Sequence, residues 1–252
     1  MLRIINVTKA FKKSNGERVT AISNINLEVQ RNEFVCIVGP SGCGKTTTLR
    51  LLAGLDVPTK GDILIDGKLI NGPSPERCIV FQEYTLFPWR SILDNVTFAL
   101  EIKKTPKGER IKKAIEYLEL VGLKDYAQAY PYELSGGMQQ RVAIIRALAA
   151  GPKVLLMDEP FGALDARVRE FLQTELIRIW VREQKTVVFV THSINEAVFL
   201  ADRVVVMKTR PGRIHDIISI DLPRPRDKAN NVFKDYYVRI HGMLKDDQDF
   251  SR

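Results

Sequence analysis

One segment constrains this chain more than any other: Gly39-Pro40-Ser41-Gly42-Cys43-Gly44-Lys45-Thr46 satisfies the pattern G-x-x-x-x-G-K-[ST] at every fixed position. Its flanks are those the pattern needs. Phe34 to Val38 (FVCIV) reads as a short buried strand, and TTTLRLLA, from Thr46 to Ala53, has helical spacing. Glycines let the backbone curl so that successive N–H groups converge on an anion, and the following helix turns the positive end of its dipole toward it. In such a loop Lys45 reaches the β- and γ-phosphates of a nucleotide, and the Thr46 hydroxyl, with Thr47 beside it, meets Mg²⁺. A plain glycine turn is the bland alternative, and the flanking strand and helix weigh against it.

The rest of the chain alternates strand and helix patterns, which argues for α/β architecture around a largely parallel sheet. LRIINVTKAF and VTAISNINLEV flank a turn at Ser14-Asn15-Gly16-Glu17, and GDILIDGKLI reads as a second hairpin. Residues 79–82 (IVFQ) read as a strand, 91–150 as mostly helical, and 163–183 as a helix. VVFVTH and RVVVMK are strands separated by a short helix, and the stretch from about 213 is Pro- and charge-rich. Four apolar residues, Val154 to Met157, run into Asp158 and Glu159. That pattern puts two carboxylates at the carboxyl edge of a buried strand, where open α/β sheets bind ligands. Asp158 suits a Mg²⁺ shell, and Glu159 is placed to polarise an attacking water. Taken alone, either acid is equally readable as an exposed loop residue.

Composition narrows the class. With 252 residues, 45% of them hydrophobic, the chain has material for a real core. No apolar run approaches the ~18 residues of a membrane helix, and MLRIINVTKAFKK lacks the features of a signal peptide, so a cytosolic location is expected. Cys36, Cys43 and Cys78 have no metal-ligand spacing and suit a reducing compartment. The net charge of +8 is densest over Lys103 to Lys113. Such a run is either a solvated helix face or a surface for polyanions.

Leu134-Ser135-Gly136-Gly137-Met138-Gln139-Gln140 adds a second anion-binding helix start, with Ser135 as N-cap and two glycines permitting close backbone approach. Together with the phosphate loop and the acidic strand, this set resembles the ATP-binding cassette (ABC) family up to about residue 210. The resemblance implies a P-loop NTPase (RecA-like) core with an N-terminal antiparallel β subdomain and an inserted α-helical subdomain. Residues 1–82 and 151–212 would form the core with the β subdomain, 83–150 the helical subdomain, and 213–252 a short C-terminal tail. It also implies roles residue by residue. Gln82 becomes the Q-loop glutamine touching Mg²⁺ and water; Asp165, in Gly162-Ala163-Leu164-Asp165, faces the other subunit; His192 touches the γ-phosphate; Phe11 stacks on adenine.

The implied mechanism is a head-to-tail dimer. Each ATP, with Mg²⁺, lies between Gly39–Thr47 of one copy and Ser135, Gly136, Gly137 and Gln139 of the other. Glu159 positions water while Lys45 and His192 stabilise developing charge. The implied partners are a second copy, integral membrane permease subunits and, indirectly, a solute-binding protein, at the cytoplasmic face of a bacterial inner or plasma membrane. Tyr84, Leu86, Phe87 and Trp89 would anchor the permease, unless they simply pack the helical insert. LFPWRSILDNV, RPGRI (210–214) and DLPRPRD (221–227) resemble the importer branch serving sulfonates, taurine and nitrate. Sugar-importing relatives carry a sizeable C-terminal regulatory domain, and with only a short stretch after residue 213 a subunit without that control is expected.

Two competing readings remain at this point. A soluble cassette ATPase acting on nucleic acid or ribosomes would accommodate the basic charge. However, the interval from Thr46 to Leu134 has no room for the coiled-coil insert of DNA-repair relatives, and only one cassette is present, so nucleic acid is not expected. A non-hydrolysing regulatory module would not need Lys45, Asp158, Glu159 and His192 together. The Cys43 thiol, placed near the phosphates, is expected to block nucleotide binding when alkylated with a bulky group.

Overall fold

A computed structural model describes residues 1–162 and 164–245. In chain order the first elements are β1 (Leu2–Lys12), β2 (Arg18–Val29), β3 (Phe34–Val38), α1 (Lys45–Ala53), β4 (Lys60–Ile65) and β5 (Lys68–Leu69). Next come β6 (Arg77–Val80), α2 (Ile92–Ile102), α3 (Lys107–Leu120), α4 (Gly136–Ala149), β7 (Val154–Asp158) and α5 (Ala166–Glu183). The last are β8 (Thr186–Thr191), α6 (Ile194–Leu200), β9 (Arg203–Lys208), β10 (Arg213–Ser219) and α7 (Asn231–Lys245). By compactness the chain divides into two units, 1–74 with 185–252, and 75–184.

The first unit holds an antiparallel sheet in the order β2-β1-β4-β5 and a parallel array in which β3 lies between β8 and β9. The Asn-Gly turn closes β1 on β2 as its residues require: Lys13 N–H donates to the Glu17 carbonyl at 2.8 Å, and Gly16 N–H to the Lys13 carbonyl at 2.9 Å. Leu2, Ile4 and Val7 of β1 and Ile22, Ile25, Leu27 and Val29 of β2 face the core. Every residue of β3 and β8 is buried, as parallel strands covered on both faces must be.

The stretch beyond residue 213, read from sequence as a short tail, contains a strand and a helix. β10 pairs antiparallel with β9, from Arg213 opposite Lys208 to Ser219 opposite Arg203. Phe233 and Ile240 of α7 are buried.

In the second unit β6 and β7 pair in parallel, with Val80 opposite Met157. Helices α2, α4 and α5 start where a short polar side chain takes an orphan N–H. Ser91 Oγ accepts from Asp94 N–H at 3.1 Å, and Asp165 Oδ1 from Val168 N–H at 3.0 Å. Asp165 as N-cap explains why α5 begins at Ala166 rather than at 163. The buried face of α4 runs through Val142, Ala143, Ile144, Ile145, Leu148 and Ala149. Among the described residues no helix is long and apolar enough to cross a membrane.

Candidate functional site

The phosphate loop leaves β3 at Val38 and enters α1 at Lys45. Gly44 is the N-cap with φ 92°, a conformation only glycine takes without strain, and a Cβ there would meet Ile22 Cγ2 at 2.2 Å. The helix start is therefore pressed onto β2. Behind it lies Gly212, whose N–H donates to the Ala21 carbonyl at 3.0 Å and whose carbonyl accepts from Ser23 N–H at 2.8 Å. A Cβ at 212 would sit 2.1 Å from the Cys43 carbonyl oxygen. Ile22 and Gly212 thus brace the loop from below, and nothing in the local pattern around Gly39–Thr46 points to either. The only trace in sequence is the Pro-Gly of RPGRI.

Lys45 is buried, and its Nζ donates to the Gly39 carbonyl at 2.8 Å and the Pro40 carbonyl at 3.1 Å. Ser41, Gly42 and Thr46 are exposed and Thr47 is half-buried. Cys43 is fully buried, so its thiol lies inside the fold and not on the face open to phosphates. The expectation that alkylating Cys43 blocks nucleotide binding therefore loses its premise, because a bulky reagent cannot reach the thiol in the folded protein.

His192 follows the last residue of β8, and Thr191 is paired with Val38, the residue before Gly39. The exposed imidazole and the loop thus rise from neighbouring strand ends. Thr191 Oγ1 donates to Glu196 Oε2 at 2.6 Å and accepts from Ser193 N–H at 3.0 Å, and Ser193 Oγ caps α6. Phe11 lies on the β1–β2 hairpin, 43% exposed, with Lys9 Nζ 5.0 Å from its ring centre.

The second unit carries the other predicted residues. Asp158 is the buried last residue of β7. Glu159 follows with φ 45°, a left-handed conformation costing a non-glycine residue about 1–3 kcal/mol. Its carbonyl accepts from Gly162 N–H at 3.1 Å. Gln82, expected at the end of a strand 79–82, lies two residues beyond β6, which ends at Val80. The pairing of Val80 with Met157 nevertheless brings Gln82, exposed, and Asp158 to the same strand edge.

At the start of α4, Ser135 is exposed and its Oγ accepts from Met138 N–H at 3.4 Å. Gly136 and Gly137 form the first turn, and Gln139 Nε2 donates to the Leu134 carbonyl at 3.1 Å. Gln140, the last residue of the motif and one to which its pattern gives no role, is buried and donates to the Pro160 carbonyl at 2.7 Å, tying this helix to the residue after Glu159. Asp165 spends one carboxylate oxygen on capping α5, and Ala163 of the same motif lies outside the described residues.

The expected aromatic cluster divides. Phe87 and Trp89 rings lie 5.7 Å apart, Phe87 packs edge-on to Phe98 at 4.6 Å, and Trp89 is 72% exposed. Tyr84 goes elsewhere: its hydroxyl would lie 2.6 Å from a Cβ at Gly136, beside the start of α4.

A strand, glycine loop and helix with a buried lysine, accompanied by an acidic strand end, define a phosphate-binding NTPase core. The sequence matches the profile of the ABC transporter family over residues 22–162. It is 58% identical over 246 residues, 98% of this chain and 92% of the relative, to an uncharacterized ABC transporter ATP-binding protein of Methanocaldococcus jannaschii. Identity is 49% over 230 residues (91% and 86%) to the nitrate import ATP-binding protein NrtD of Synechocystis. It is 45% over 234 residues (93% and 92%) to the aliphatic sulfonates import ATP-binding protein SsuB of Bacillus cereus. The fold matches a dimeric post-hydrolysis structure of the ATP-binding cassette MJ0796 bound to ADP and phosphate. That TM-score is 0.80 at 36% identity, covering 88% of this chain and 100% of that one. The chain belongs to the ABC transporter family. It is an ATP-binding, ATP-hydrolysing transporter subunit, with the fold of an ABC ATPase; the reading as a nucleic-acid or ribosome ATPase is not favoured.

Proposed function

We propose that this subunit energises an importer of small solutes of the sulfonate, taurine or nitrate kind. Two copies would close head to tail on two ATP molecules at the cytoplasmic face of the membrane, docked on permease subunits that receive solute from a binding protein. The observation that carries the reading is the pair of anion-ready helix starts in one chain. These are α1 behind the phosphate loop, in one unit, and α4 behind exposed Ser135, in the other. Similarity to nitrate and sulfonate import subunits over more than nine-tenths of the chain supports the importer branch and the solute class.

In this reading Phe11 stacks on adenine and Gly39 to Thr47 hold the phosphates. The Lys45 ammonium exchanges the Gly39 and Pro40 carbonyls for β- and γ-phosphate oxygens. Glu159 accepts a proton from the water that attacks the γ-phosphorus as the bond to ADP breaks. His192 and the partner copy's Ser135 to Gly137 face the charge that develops on the γ-phosphoryl oxygens, with Gln139 and Asp165 at the shared boundary.

Among the described residues no cluster of three His, Cys, Asp or Glu side chains could hold a metal by itself. That fits Mg²⁺, which takes few protein ligands and leans on phosphates and water. Thr46, Gln82 and Asp158 offer the hard hydroxyl, carboxamide and carboxylate oxygens it accepts, and bound Mg²⁺ would neutralise phosphate charge. The exposed Trp89 with Phe87 would form the permease contact. The core would comprise 1–82 and 151–212, with 83–150 as the helical subdomain.

The test is sedimentation of Glu159→Gln with and without Mg-ATP. Loss of the base should cut turnover by at least ~100-fold and trap ATP in a dimer. That dimer should be abolished by Ser135→Phe. A monomer at saturating Mg-ATP would overturn the head-to-tail reading.

A further inference from the structure

The motif DLPRPRD, singled out in the sequence for its resemblance to one importer branch, has a physical task in the fold. Arg226 is buried, and all its hydrogen bonds go to backbone carbonyls. Nη1 donates to Val198 at 2.7 Å, Ala201 at 2.6 Å and Phe199 at 3.3 Å; Nη2 donates to Ile220 at 3.1 Å and Nε to Leu222 at 3.1 Å. Arg224 Nη2 donates to the Leu200 carbonyl at 2.6 Å, and its Nη1 to Asp202 Oδ1 at 2.7 Å. Asp202 Oδ2 in turn accepts from Phe34 N–H at 2.8 Å, at the start of β3.

The carbonyls of Val198, Phe199, Leu200 and Ala201 are those a helix ending at Leu200 leaves without intrahelical partners. Two guanidinium groups take all four, and their charge opposes the negative end of the helix. Burial, and then the neighbouring Arg224, push the Arg226 guanidinium down to about 10, so it remains cationic at neutral pH.

Helix α6 has seven residues, too short to hold its own position. Its far end is fastened by bonds from its own Glu196 to Thr191 and Ser193, the two residues that flank His192. A shift of α6 along its axis is therefore passed through these bonds to the turn that carries the imidazole. That turn neighbours the phosphate loop, because Thr191 is paired with Val38.

We infer that Arg226, assisted by Arg224, is a positioning residue for His192: the segment 221–227 clamps the end of α6 and sets the height of the imidazole beside the phosphate loop. The inference rests on the role given to His192 under the proposed function. Lysine at 226 keeps the charge but offers one ammonium in place of a five-donor fork, so it cannot span carbonyls on both sides.

The experiment measures steady-state ATP hydrolysis with the purified full chain for wild type, Arg226→Lys, His192→Ala and the double variant. Arg226→Lys should lower kcat about tenfold and leave KM for ATP within about twofold. In the His192→Ala background it should have no further effect, because there is no imidazole left to misplace. The His192 ring resonance, one of three histidines, should shift in Arg226→Lys. Should Arg226→Lys fail to fold, Arg224→Lys takes its place in the same cycle. Unchanged kcat, or losses that multiply in the double variant, would overturn the inference. A fully active His192→Ala would instead overturn the role assigned to His192.

Discussion

Replacing Gly212 by alanine places a Cβ 2.1 Å from the Cys43 carbonyl oxygen and 2.7 Å from the Ala21 carbonyl oxygen. Both neighbours are backbone, so no side chain can rotate away, and ordinary contact requires one strand or the loop to move by more than about 1 Å. Overpacking of this kind costs about 1–3 kcal/mol. The hydrogen bonds that Gly212 makes with Ala21 and Ser23 stand to lose part of the ~0.5–1.5 kcal/mol each contributes. A combined loss of about 2–4 kcal/mol lowers Tm by roughly 4–16 °C in a chain of this size. The displaced carbonyl belongs to the phosphate loop, between Gly42 and Gly44. Misaligning one charge-assisted N–H donor there costs about 1.5–3 kcal/mol, and the ATP Kd should rise about 10- to 100-fold. Thermal unfolding and equilibrium binding of a fluorescent ATP analogue read the two effects. Gly108→Ala is the control, since a Cβ at that helical position meets nothing within 4 Å and should hold or raise Tm. A Gly212→Ala protein with wild-type Tm and wild-type ATP affinity would refute the bracing argument.

Two further outcomes follow from buried groups. Asn95 is fully buried, accepts from Phe87 N–H at 2.9 Å, and donates to the carbonyls of Phe87, Arg90 and Ser91 at 3.0–3.1 Å. Asn95→Ala should cost about 2–4 kcal/mol and speed proteolysis within 85–91 while ATP affinity holds; unaltered Tm and cleavage would count against that role. Burial, reinforced by Glu196, raises the Cys36 thiol well above its ordinary range, and burial also raises Cys78. At neutral pH a bulky maleimide should therefore leave Cys36 and Cys43 unmodified in the native protein and label Cys78 slowly. Rates should climb as pH rises, and all three should react in guanidinium; rapid native labelling of Cys43, measured by mass spectrometry, contradicts its placement.

Much of the site was legible because its chemistry is local. Each of Gly39 to Thr46, Ser135 to Gly137 and Asp158-Glu159 sits within a few residues of a strand end or helix start, and short-range backbone geometry gives those residue types their meaning. The parallel strands were equally plain, since burial on both faces leaves unbroken apolar runs such as FVCIV and VVVM. Boundaries were read less well where a side chain decides them. α5 begins at Ala166 because Asp165 takes the orphan N–H. The strand before Gln82 stops at Val80, with Gln82 left in the following loop. β10 and α7 escaped notice because their apolar positions are sparse and acquire a partner only against β9 and α6.

The sequence by itself determined the family and with it the reaction class, since the glycine loop ending in Lys45-Thr46 and the acidic strand end are patterns legible within a few residues. Tertiary structure alone decided what holds that machinery still. Gly212 supports Cys43 from 169 positions away in a loop that no local pattern marks, Arg226 closes the end of α6, and Tyr84 turns to Gly136 instead of joining Phe87 and Trp89. Each of these is a contact between segments distant in sequence. Residue periodicity reports which face of an element is buried, but only the packed chain specifies which segment buries it.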